Sequence, residues 1–133
     1  MKRINKETYS FSIPEHWETH DDKGVMSIYD PDGHGALTIS SYLSETEVRD
    51  CVGVLEKFTL GKGDVRSKKN ADFDLFETHY EDASGESLRS VYVWAICRRK
   101  QLLLMSYNCI KKELTDEEFS IVSEIVSSVI MHD

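Results

Sequence analysis

Residues 90–110 read SVYVWAICRRKQLLLMSYNCI, and the fold turns on how that stretch is understood. Val91 to Cys97 and Leu102 to Tyr107 are apolar at both parities, on either side of the polar turn around Lys100. A strand with one wet face alternates apolar and polar residues, so unbroken apolar runs of this length predict two central strands buried on both sides. The strands are expected over Ser87 to Arg99 and Gln101 to Ile110. Upstream, Phe73 to Asp82 reads as a third strand joined through a turn at Ser84-Gly85, with a short strand near Val65 before it.

Working towards the N-terminus, Tyr9, Phe11 and Ile13 alternate with Thr8, Ser10 and Ser12, giving a half-buried strand that Pro14 stops. Gly24 to Tyr29 and Ala36 to Leu43 form a hairpin around the turn Asp30-Pro31-Asp32-Gly33-His34-Gly35. Two segments carry helical periodicity. Ser44 and Glu47 have capping-box spacing, and Val48, Cys51, Val52, Leu55 and Phe58 follow as one stripe until Gly61 and Gly63 end it. Thr115 and Glu118 repeat the signature ahead of Phe119, Val122, Ile125, Val126, Val129 and Ile130, with Asp116 and Glu117 at the positive end of the helix dipole.

Composition narrows the class. The chain has 133 residues, 40% hydrophobic and 30% charged, which suits a single domain over 1–133 with its own core. No repeat or low-complexity linker divides it. The formal charge of −8 argues against a nucleic-acid partner, because such affinity rests on clustered cations. The basic runs Lys68-Lys69, Arg98-Arg99-Lys100 and Lys111-Lys112 read as solvated turns. No apolar segment reaches spanning length, and the polar N-terminus lacks a signal-peptide core, so no membrane association and a cytoplasmic location are expected. Cys51, Cys97 and Cys109 are odd in number and widely spaced, fitting buried thiols in a reducing compartment better than a disulfide framework.

The order β-β-β-α-β-β-β-β-α, the opening Tyr9-Ser10-Phe11-Ser12-Ile13-Pro14-Glu15-His16-Trp17 and the closing helix through Ser127-Ser128-Val129-Ile130 resemble the PsbP-like superfamily, which includes the Ran-binding Mog protein and bacterial effector adaptors. The resemblance implies an α+β fold, an antiparallel sheet of about six to seven strands with helices packed on both faces. It also implies partner binding rather than catalysis, and it transfers no functional residue.

Candidate sites follow from the register. A two-residue turn at Ser84-Gly85 would set His79 opposite Ser90 and Glu77 opposite Tyr92, with Trp94 next on the same face. That places a Ser-His-Glu set in line, but no glycine-rich elbow or helix start supplies an oxyanion hole for Ser90. The same residues make a better binding surface, with Tyr92 and Trp94 as rigid area and Glu77 and Glu81 as acidic selectors. Trp17, in the loop after Pro14, joins the candidates. His16, His20, Asp21 and Asp22 lie in an expected loop and do not make a metal site, and Asp30-Pro31-Asp32-Gly33 departs from a calcium loop at Pro31 and Gly35. The sequence therefore predicts a cofactor-free, non-enzymatic adaptor with a protein partner, an effector chaperone or immunity protein being specific versions and a homodimer an open option. A small hydrolase or metal-dependent enzyme using the His79 region is the rival.

Overall fold

A computed structural model of the chain describes residues 1–68 and 70–132, so Lys69 of the first basic run lies outside the described residues. Ten strands and two helices follow in order: β1 (Lys2–Asn5), β2 (Tyr9–Ile13), β3 (Glu18–Asp22), β4 (Val25–Tyr29), β5 (Ala36–Leu43), α1 (Cys51–Phe58), β6 (Arg66–Lys68), β7 (Asp74–Asp82), β8 (Arg89–Arg98), β9 (Gln101–Ile110), α2 (Asp116–Ser127) and β10 (Ile130–Met131). They form a seven-stranded sheet ordered β3-β4-β5-β9-β8-β7-β6 and a separate three-stranded sheet ordered β1-β2-β10. Every strand pairing is antiparallel. The expected single sheet is corrected here, because the Tyr9–Ile13 strand belongs to the small sheet.

β8 and β9 lie in the middle of the large sheet and are buried as their two-sided apolar runs require. Trp94, Ile96, Leu103, Met105 and Tyr107 cluster with Val122, Ile125, Val126 and Val129 of the closing helix region, and with Phe11 and Ile13 of the small sheet. Val91, Val93, Ala95, Cys97 and Leu104 cluster instead with Cys51 and Leu55 of α1. The period of two along β8 thus sorts its side chains into two separate cores.

Three expectations at element ends are revised. β3, read as loop, pairs with β4 through a tight turn in which Lys23 and Gly24 both have positive φ. Its sequence, Glu-Thr-His-Asp-Asp, is exposed throughout, so no apolar alternation could announce it. The first helix starts at Cys51, capped by the Asp50 carboxylate accepting from Gly53 N–H at 2.9 Å, and not near Ser44. The turn joining β8 and β9 explains the delay: Ser44 N–H donates to Lys100 O and Val48 N–H to Arg99 O, holding 44–48 against that turn in a bent, non-helical path. Ile130, expected in the stripe of the last helix, leaves it for β10 and is 52% exposed.

The cysteine expectation is overturned. Cys51 and Cys97 form a disulfide that ties the start of α1 to the end of β8, while Cys109 is a buried free thiol. The bridge matters because α1 is one short helix with only Cys51 and Leu55 buried, below the length at which helices persist unaided.

α1 ends in a Schellman arrangement in which Gly61 N–H donates to Glu56 O at 2.8 Å and Leu60 N–H to Lys57 O at 3.3 Å. The left-handed position is held by Leu60, at φ +56°, with its side chain 83% exposed. A leucine there carries the Cβ penalty of that region and buries nothing in return.

Two measurements check these features. The bridge spans a sequence separation of 46, for which loop-closure entropy gives roughly 4 kcal/mol, so Cys51→Ser with Cys97→Ser is expected to lower the unfolding free energy by about 2–4 kcal/mol in urea. A loss under about 0.5 kcal/mol would mean that the bridge does not hold α1. Leu60→Gly is expected to raise stability by roughly 0.5–1 kcal/mol, and a loss would show that the exposed leucine makes contacts that its surroundings do not reveal.

Candidate functional site

The β7–β8 ladder pairs His79 with Tyr92, Glu77 with Trp94 and Glu81 with Ser90. It closes at Asp82 and Arg89, leaving 83–88 as a longer loop than the expected two-residue turn. Asp82 shapes that loop by accepting from Ser84 N–H at 2.9 Å, and its hydrogen bonding to Ser84 holds the carboxyl below the usual range. The register is displaced by two residues from the expected one. A shift of two preserves parity, so Glu77, His79, Glu81, Ser90, Tyr92 and Trp94 still share a face.

These side chains form an ordered ladder. His79 stacks on Tyr92 at 4.1 Å between ring centroids with planes 10° apart, and Tyr92 meets Phe119 of α2 at 4.2 Å. His79 Nε2 is hydrogen-bonded to Ser90 Oγ at 2.8 Å. Trp94 Nε1–H donates to Glu77 Oε2 at 2.7 Å, while Lys68 Nζ approaches Glu77 Oε1 only to 3.9 Å. At the far end Lys111 pairs with Glu81.

The histidine and serine meet, but not as a catalytic set. Ser90 is 2% exposed, so an incoming carbonyl has no approach to its Oγ. Glu77 is committed to Trp94 rather than to His79, which leaves the imidazole without an orienting carboxylate among the described residues. Trp17 is also 2% exposed and offers no ring face to a partner; its Nε1 is buried without a hydrogen-bond acceptor among the described residues. His16 lies 3.5 Å from Asp30, and no group of three or more metal-ligating side chains exists among the described residues. The Asp30 segment is a tight turn, with Gly33 N–H donating to Asp30 O at 2.9 Å.

One open feature beside the ladder is a cleft of about 360 Å³ between α2 and the β6 edge. Glu77 and Trp94 lie on its sheet side, Lys68 and Asn70 at the β6 end, and Ser123 and Ser127 on α2. Sequence reasoning found the floor through the alternation of β7 and β8. It missed Lys68 and the two serines, because nothing in the pattern said how far α2 reaches across the sheet.

A buried carboxylate fixes α2 in that place. Thr115 caps the helix by accepting from Glu118 N–H at 3.1 Å, as the capping-box spacing predicts. The Glu118 carboxylate does not return to the cap. It accepts from His34 N–H and Gly35 N–H, each at 3.0 Å, and from the Tyr107 hydroxyl. Burial, then the bond to Glu118, push the Tyr107 hydroxyl well above its ordinary range. Gly35 is needed there, since a Cβ would stand 2.6 Å from the Tyr107 ring.

No protein-family model matches the chain, and no curated protein matches it in sequence. Solved structures do. A protein from Bacteroides thetaiotaomicron superposes with a TM-score of 0.79 at 14% identity, over 99% of this chain and 48% of its own. Cyanobacterial PsbP (CyanoP) from Synechocystis gives 0.73 at 14% identity, over 98% of this chain and 92% of its own. The fold is PsbP-like. LpqN of Mycobacterium tuberculosis, involved in cell envelope biogenesis, shares the PsbP-like arrangement at a TM-score of 0.66 and 10% identity, over 99% of this chain and 91% of its own. Identities this low carry the architecture alone. The chain spans about half the length of the Bacteroides protein.

The Trp94–Glu77 bond gives a test of how the cleft is built. Glu77→Ala leaves a buried indole N–H without an acceptor and is expected to cost about 1–3 kcal/mol, while Glu77→Gln keeps an acceptor and is expected to cost under about 1 kcal/mol. Urea unfolding together with the Trp94 indole N–H shift reads both, and equal losses would contradict the bond.

Proposed function

We propose that this chain is a non-catalytic binding domain that takes a cationic side chain of a protein partner into the α2–β6 cleft. Glu77 is the observation that carries the reading. Its side chain is 18% exposed, one oxygen is fixed from beneath by Trp94, and the other has, among the described residues, only Lys68 beyond hydrogen-bond distance. A largely desolvated carboxylate of this kind gains more from an incoming Lys or Arg than an exposed one would. The Phe119–Tyr92–His79 ring series beside it, with His79 stacked on Tyr92 and Phe119 tilted against it, is already ordered, which lowers the entropy cost of binding.

Two further points support the setting. The opposite parities of the two side-chain clusters favour a sheet covered by α2 on one face and α1 on the other, so a partner has the cleft rim rather than a bare sheet to grip. The Cys51–Cys97 bridge favours an oxidising compartment over the cytoplasm. No helix among the described residues is long and apolar enough to cross a membrane.

A photo-crosslinking residue in place of Ser127, compared with one at Lys57 on α1, tests the reading in an extract of the source organism. The expected result is a protein adduct from position 127 alone. Glu77→Gln should weaken that purified pair by about 10-fold or more, the loss of a charge-assisted hydrogen bond. Adducts from position 57 alone, or affinity indifferent to Glu77→Gln, would remove the cleft from the function.

A further inference from the structure

The seven-stranded sheet ends in edges of opposite charge. β3 is exposed at every residue and carries Glu18, Asp21 and Asp22; β6 is exposed at every residue and carries Arg66 and Lys68. Each is terminal in the sheet, with no strand on its outer side among the described residues. Asp21 pairs with Lys6 at 3.2 Å. Glu18, Asp22 and Arg66 have no ion-pair partner among the described residues, and Lys68 reaches Glu77 only at 3.9 Å. Unpaired edge backbone is a template for another strand, and the charges on it decide which strand is accepted.

We propose that the β6 edge of one copy of this chain receives the β3 edge of a second copy, continuing the sheet from molecule to molecule. Like edges repel, since β6 against β6 sets cation on cation and β3 against β3 sets carboxylate on carboxylate. Only the mixed joint brings opposite charges together.

The register specifies how the copies meet. All neighbours in the sheet are antiparallel, so its first and last strands, β3 and β6, run in the same direction. An antiparallel joint therefore turns the second copy over about a line across the strands. Arg66 and Lys68 share the face of Glu77 and Trp94, whereas Glu18 and Asp22 lie on the reverse face, as Thr19 aligns through Ile28, Leu37 and Tyr107 with Tyr92. Turning the copy over places Glu18 and Asp22 beside Arg66 and Lys68. The joint uses two different surfaces, so it repeats along a screw axis and does not close as a dimer. With three residues of β6 among the described ones, each joint is weak.

Sedimentation equilibrium on the whole protein tests this. From about 10 µM to about 1 mM at low salt, the weight-average mass is expected to rise at least twofold without a plateau at the dimer, and to return to the monomer near 0.5 M salt. Arg66→Glu with Lys68→Glu, and separately Glu18→Lys with Asp22→Lys, should each remain monomeric, while an equimolar mixture of the two variants recovers association. Matching thermal melts show that both variants fold. A chain that stays monomeric at every concentration assigns the edges to some other partner and overturns the proposal. So does association that survives high salt or either charge reversal.

Discussion

Placing the Glu118 carboxylate inside the protein costs solvation that only fixed donors can restore, and the chain supplies three of them from two distant segments. The backbone N–H groups of His34 and Gly35 come from the β4–β5 turn, and the hydroxyl of Tyr107 from the central strand β9. Because Glu118 is in the first turn of α2, that one carboxylate sets where the helix begins over the sheet. The cleft, the contact of Phe119 with Tyr92 and the burial of Val122, Ile125 and Val126 all follow from the placement. A change that loosened it would leave each strand paired and still lose the site.

The C-terminal end of the helix is secured by a different kind of contact. Ser12 N–H donates to Ser128 Oγ at 2.8 Å, and Arg3 Nη1 donates to Ser128 O at 3.0 Å, so the small sheet grips the exit of α2 as the Glu118 cluster grips its entry. Between these points the helix needs little more than its apolar stripe. That division explains why a chain with ordinary hydrophobic content holds a long-range antiparallel architecture. The polar anchors choose the geometry and the apolar burial supplies the free energy.

What the sequence made legible was whatever depends on periodicity. The central strands β8 and β9, the hairpin of β4 and β5, the capped start of α2 and the shared face of Glu77, His79, Ser90, Tyr92 and Trp94 all rest on spacings of two or of three and four. The site survived a misjudged turn because a register error of two leaves parity intact. What stayed hidden depends on contacts between distant segments. β3 has no apolar residue to signal pairing, the Ser44 signature is overruled by the β8–β9 turn, and Trp17 is simply interior. The role of Glu118 was half visible, since its N–H obeys the capping pattern while its carboxylate answers to residues 83 and 84 positions away.

The sorting of side chains by the pleat of β8 and β9 also separates the three cysteines. Three thiols allow three pairings, and only one of them is native. Along the paired strands β8 and β9, Cys97 falls in the cluster of Cys51 and Leu55, and Cys109 in the separate cluster of Val122 and Ile125. In the folded chain Cys51 therefore shares its core with Cys97 alone of the other two cysteines. The surplus thiol of an odd-cysteine chain is thus kept in a different core from the bridge, buried and apart from both bridged sulfurs.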